Sequence, residues 1–238
     1  MKQITIISKR ELRAFFDSLM AYIMIVAFLG FSGFFTWLYG GDVFYVNQAS
    51  LQTFFGIAYW TLFFFIPALT MKSIAEEKKT GTIESLLTKP ISEWQFVCGK
   101  FFAVLLLIII ALALTLPYYI TIWCLGPVDH GAVWTGYLVL ILMSASYISI
   151  GLFTSSLTNN QIVAFLLALL IGLFIHFIFG MVSSTFSGTL GSVMDYLNLS
   201  SHFSSMSRGV IDSKDLIYFL SITLLGLAGA ELALVKRK

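Results

Sequence analysis

The side chains able to do chemistry are few, and they are densest in one stretch. Residues 71–100, MKSIAEEKKTGTIESLLTKPISEWQFVCGK, carry five lysines and four glutamates in a chain that is otherwise mostly apolar. Acids and ammoniums interleaved in this way form no nucleophile–base pair and no metal-ligand set. Their chemistry is recognition: a charged rim around the apolar residues Ile83, Leu86 and Leu87, the makeup of a binding surface. A solvated loop with no partner is the competing reading of the same charges.

Elsewhere the reactive residue types are scattered. His130, His176 and His202 fall in different segments, with no H-E-x-x-H and no carboxylate pair at ligand spacing, so no metal site is expected. No G-x-S-x-G is present. Cys98 and Cys124 sit at opposite ends of one apolar run and cannot bridge if that run crosses a membrane. No G-x-x-x-x-G-K-[ST] loop occurs; the nearest fragment, Gly99-Lys100, lacks the upstream glycine and the following hydroxyl. The chain is therefore not expected to be an enzyme or to hold a cofactor. His176, near the middle of an apolar run, is the one intramembrane ionisable candidate, read as a neutral histidine bonded within the bundle. An intramembrane enzyme would need a constellation this sequence does not offer.

The elements that must position the charged stretch follow from composition. Of 238 residues, 58% are hydrophobic and 11% charged, against about 25% charged in a soluble domain. There are too few charges to clothe a water-facing surface, so the chain reads as an all-α integral membrane protein, one domain over 1–238. Six apolar runs are long enough to span: 19–39, 54–69, 101–124, 132–155, 161–182 and 216–235. Ahead of them, Leu12, Phe15, Phe16 and Leu19 share one helical face, with Lys9, Arg10 and Arg13 off it. That pattern predicts a helix lying in the membrane interface. A cleavable leader is disfavoured because the first run is long and aromatic and has no small-residue cleavage site.

Orientation follows from the basic residues. With both termini cytoplasmic, inner segments hold Lys2, Lys9, Arg10, Arg13, Lys72, Lys78, Lys79, Lys89, Lys100 and the last three residues, while outer segments hold only Arg208 and Lys214. The charged stretch then faces the cytosol. Thr80-Gly81 breaks the helix that enters it, and Thr80 or Thr82 can cap a short helix through Leu87. Lys89-Pro90 ends that helix, and Ser92 with Gln95 forms a capping box for the next span. Pro117 interrupts the third span. In the outer segment 183–215, Leu190, Val193, Met194 and Leu197 repeat at helical spacing and Phe203, Met206 and Val210 continue an apolar face. One or two short helices in the outer leaflet are predicted there, with Asp212 or Ser213 capping the last span and Asp215 near its positive end. The small residues Ser144, Ser146, Ser149, Gly151 and Gly172 predict close helix packing, with a subunit interface as one setting for it.

The string EEKKTGTIESLLTKPIS resembles the first cytoplasmic loop of type-2 ABC exporter permeases. SLTNNQIVAF and HFSSMSRGVIDSKDLIYFLS, at 156–165 and 202–221, resemble the gliding-motility branch of that family. The resemblance covers essentially the whole chain. It implies six transmembrane helices with an N-terminal interfacial helix, a cytoplasmic coupling helix and short outer re-entrant helices. It further implies that Glu76, Glu77, Gly81, Thr82, Glu84, Leu86 and Leu87 form a coupling element seated in a cleft of a cytosolic ABC ATPase, with ATP and Mg bound in that partner. The expected partners are those ATPase subunits, a second permease copy or a related permease or auxiliary subunit, membrane lipid, and a periplasmic protein, with no nucleic acid. The expected location is a bacterial inner membrane. The alternative is a mechanical scaffold on the same plan that moves no solute.

Overall fold

A computed structural model describes residues 2–39, 50–82, 91–186 and 188–235, and every regular element among them is helical. Two helices open the chain, α1 (Lys2–Asp17) and α2 (Leu19–Trp37). Then come α3 (Gln52–Thr70), the short α4 (Ala75–Lys79), α5 (Glu93–Ala113), α6 (Leu116–Leu125) and α7 (His130–Leu157). The rest are α8 (Gln161–Leu173), a π-helical turn (Phe174–Ile178), α9 (Phe179–Thr185), α10 (Thr189–Leu197), α11 (Leu199–Ser207) and α12 (Ser213–Val235). Six stretches are long and apolar enough to cross a bilayer: α2, α3–α4, α5–α6, α7, α8–α9 and α12. The six expected spans are all recovered, with α7 as their hub. Of its membrane stretch 78% is buried, against 22% in both α8–α9 and α12. It packs against α12, α3, α8, α5 and α11.

Local sequence explains where these helices start and stop. Ser92 Oγ accepts the Gln95 N–H at 3.2 Å while Ser92 N–H donates to Gln95 Oε1 at 3.3 Å, the reciprocal cap expected for α5. Asp129 and Asn160 cap α7 and α8 through the N–H groups of Ala132 and Ile162. The third span breaks at Leu114 and Thr115, just ahead of Pro117 in the first turn of α6. Asp212 Oδ1 accepts the Lys214 N–H at 3.2 Å and begins α12. The amphipathic N-terminal helix also forms, but Leu19 falls beyond a bend at Ser18 and is 74% exposed at the start of α2. Leu12, Phe15 and Phe16 pack on the core, and α1 lies mainly along α5.

The small residues bring helices together within the chain. Ser146 Oγ donates to the Phe219 carbonyl of α12 at 3.1 Å, and a β-carbon on Gly226 would meet Ser149 Oγ at 2.4 Å. Gly151 lies against Thr70 of α3, where an added β-carbon would sit 2.0 Å from Oγ1 and 2.8 Å from Thr70 Cβ. Thr70 cannot swing away freely, because its hydroxyl is bonded to the Ile66 carbonyl at 2.9 Å. Gly151→Ala is expected to lower stability by about 1–3 kcal/mol through overpacking. Gly30→Ala, with nothing within 4 Å of the new carbon, should be neutral; thermal unfolding of the two variants in detergent checks the contrast.

Candidate functional site

The approach to the charged loop is built around Lys100. Gly99 lets α1 touch α5, since a β-carbon there would lie 2.5 Å from Ile7 Cγ2. One residue on, Lys100 is 2% exposed, and its Nζ reaches Glu11 Oε2 of α1 at 3.1 Å and Glu77 Oε1 of α4 at 2.8 Å. The ammonium also lies 4.9 Å from the centre of the Phe96 ring. Arg10 holds the other Glu11 oxygen at 2.7 Å. Burial, the largest single influence on Glu11, pushes its pKa up, but Lys100 and Arg10 together outweigh it and hold the carboxyl below its ordinary value. Glu77 Oε2 is buried without a hydrogen-bond partner.

A second set of bonds fixes α4 to the end of α7. Ser155 Oγ accepts the N–H groups of Ile74 (3.1 Å) and Ala75 (3.0 Å) and donates to the Met71 carbonyl (3.1 Å). Lys78 Nζ donates to the Ser156 carbonyl. Thr80 Oγ1 donates to the Glu76 carbonyl at 2.9 Å and Thr82 Oγ1 to the Glu77 carbonyl at 3.3 Å. Both hydroxyls thus finish α4 itself. Gly81, at φ +71°, makes the left-handed turn that leads away from it.

Four of the seven residues carried over by resemblance, Glu76, Glu77, Gly81 and Thr82, therefore converge on one helix end. Glu76, Gly81 and Thr82 are exposed, whereas Glu77 turns inward to Lys100. Glu84, Leu86 and Leu87, with the short helix expected to hold them, lie outside the described residues. The sequence reading missed Glu11 and Lys100 as partners. A lysine within an otherwise apolar helix was the available signal, because such a charge needs a counter-ion.

At the other end of the bundle a second buried pair appears. His202 Nδ1 of α11 lies 2.6 Å from Asp215 Oδ1 in the first turn of α12. His202 Nε2 lies 3.0 Å from the Tyr196 carbonyl, which can only accept, so Nε2 carries its hydrogen. Tyr218 stacks on the imidazole at 4.1 Å and donates to the Leu197 carbonyl at 2.7 Å. Two short helices do form between residues 188 and 208. Phe203 and Met206 are buried, but Leu190, Val193 and Leu197 of α10 are 60%, 48% and 41% exposed. Mid-bundle, His176 is buried in the π turn and hydrogen bonded to the Tyr59 hydroxyl, among Trp60, Phe63 and Phe177. Among the described residues, no three His, Cys, Asp or Glu side chains group as metal ligands.

A bundle of six apolar helices, with a charged turn tied to two of them and to α1 at one end, defines a multi-pass membrane protein. Residues 38–234 match the family described as ABC-2 family transporter protein. The chain belongs to that family. It is also similar to the probable multidrug ABC transporter permease YbhR of Escherichia coli K12 and to its counterpart in E. coli O157:H7, 28% identical over 151 residues in each case. Each match covers 60% of this chain and only 38% of the relative's length.

Proposed function

We propose that this chain is the membrane-spanning permease subunit of an ATP-driven ABC exporter in a bacterial inner membrane. A separate cytosolic ATPase binds ATP and Mg and grips the loop at 76–87. A second permease copy or a related subunit completes the membrane part. The observation that carries this reading is the anchoring of α4. The turn that leads into residues 83–90 is tied to α1 and α5 through Lys100 and to α7 through Ser155 and Ser156. A push transmitted through α4 would thus reach three helices at once.

Two variants test it. Glu84→Lys reverses a charge on the proposed handle. Gly81→Pro imposes a φ near −65° where the chain needs +71°. Each is expected to reduce co-purification of the ATPase and permease-stimulated hydrolysis at least about tenfold while leaving membrane insertion intact. Unchanged binding and turnover in both would overturn the reading.

The exposed apolar edge of α10 favours a second reading, in which the same assembly acts mechanically on a periplasmic protein and moves no solute, as in gliding motility. Cross-linking of α10 to a periplasmic partner, without cargo-stimulated ATPase activity, would select it.

A further inference from the structure

At the end of the bundle away from Lys100, four rings meet where α6 closes and α7 begins. Tyr119 lies nearly parallel to Trp123, with ring centres 6.4 Å apart and planes 10° apart. His130 stands perpendicular to both at 5.9 Å, and its Nδ1 is 2.7 Å from the Tyr119 hydroxyl. Trp134 completes the group at 6.0 Å from Tyr119. Trp123 and Trp134 nevertheless remain 58% and 57% exposed.

The surroundings of the rings are graded along the helix axes. Asp129, exposed at the cap of α7, keeps a charge just beyond them. Farther into the bundle, Ile120 and Leu138 are 55% and 36% exposed. Indole, phenol and imidazole each join an apolar body to a polar tip. Hydrocarbon around them would strand the tips, and water would strand the faces of the two indoles. Length points to the same place. At the far end of α7, Ser155 holds the charged α4 turn. It lies about 21 residues, or about 31 Å, from Trp134. The hydrocarbon core of a bilayer is about 30 Å thick.

We infer that Tyr119, Trp123, His130 and Trp134 dock in the headgroup layer of the membrane and mark its boundary at this end of the bundle. The indole N–H groups donate to the ester and phosphate oxygens that every phospholipid carries, so the cluster does not select one head over another. The inference rests on the chain spanning a membrane and not on the ATPase-partner reading.

The test reads depth with brominated phosphatidylcholine. The wild-type chain and the double variant Trp123→Phe, Trp134→Phe are reconstituted into vesicles with bromine at acyl carbons 6 and 7 or at 11 and 12. Both substitutions fall on exposed rings, so the packed core is untouched. The emission lost in the double variant belongs to the two indoles. It should be quenched about twofold more by the shallow bromines than by the deep ones. Trp60→Phe isolates a reference indole in the same way. Gly136 packs against the Phe55 ring, which places Trp60 about 10 Å deeper than Trp134, so its order should be reversed. Trp123 and Trp134 quenched equally well by the deep bromines would overturn the proposal. So would no quenching by either, as for indoles that face water or lie under a protein partner, or an order for Trp60 identical to theirs.

Discussion

Lys100→Met is expected to destabilise the protein by about 3–5 kcal/mol, the range for breaking a buried ion cluster by removing one member. The lysine is 2% exposed and neutralises two carboxylates that are themselves mostly enclosed, at 18% and 19%. Without it, Glu11 and Glu77 face each other in a poorly solvated site. The triple variant Glu11→Gln, Glu77→Gln, Lys100→Met removes every member together and should recover most of the loss, since apolar or neutral replacements of whole buried clusters are often no less stable. Thermal or denaturant unfolding in detergent separates the two outcomes. A single variant as stable as the triple would mean that the cluster contributes nothing.

The acid response adds a sign. Because the folded protein holds the Glu11 carboxyl below its ordinary value of 4.5, the group's contribution is fully present above that value. It is lost as pH falls through the lower, folded-state value. Wild-type stability should therefore fall on the acid side of 4.5. In Lys100→Met, where the main cation opposing burial is gone, that acid-side loss should shrink.

His202→Leu is the second large effect, also about 3–5 kcal/mol. Asp215 is fully buried, and its Oδ2 already lacks a hydrogen-bond partner, so losing His202 strands the whole carboxyl group. The positive end of α12 offsets part of that cost but is worth only about 0.3–1 kcal/mol, up to about 2 in buried geometry. Pairing the change with Asp215→Leu removes the stranded group. A double-mutant cycle should then give a coupling energy of about 2 kcal/mol or more. Additive effects would show that the two residues act independently despite their 2.6 Å separation.

How much of this was legible in the sequence depends on how far apart the partners lie. The Ser92–Gln95 cap, the break ahead of Pro117, the Gly81 turn and the six spans are written in neighbouring residues, and the structure bears them out. The Lys100 cluster joins residues 89 and 23 positions apart, and no local pattern encodes such a meeting. In the sequence Lys100 signals at most that a counter-ion is needed, not which acids supply it. The same holds for His202, which reads as an isolated histidine until α11 folds back on α12. The amphipathic face of α1 was visible, but its seat on α5 depends on Gly99, whose small size says nothing of what approaches it. The helical spacing of Leu190, Val193, Met194 and Leu197 announced α10 correctly. It could not announce that three of those side chains would stay exposed.

The π turn at Phe174–Ile178 has a consequence for the phase of the fifth span. Ala164, Ala168, Gly172 and His176 are buried at strict four-residue intervals. In an α-helix four residues advance about 400°, so such a row drifts round the axis by about 40° per step. Left uncorrected, the row would spiral off toward lipid before it reached the histidine. The wider turn takes back part of the drift. It keeps Gly172 against Phe63 and Tyr147, His176 on Tyr59 and Gly180 under Asn198, all on one continuous seam.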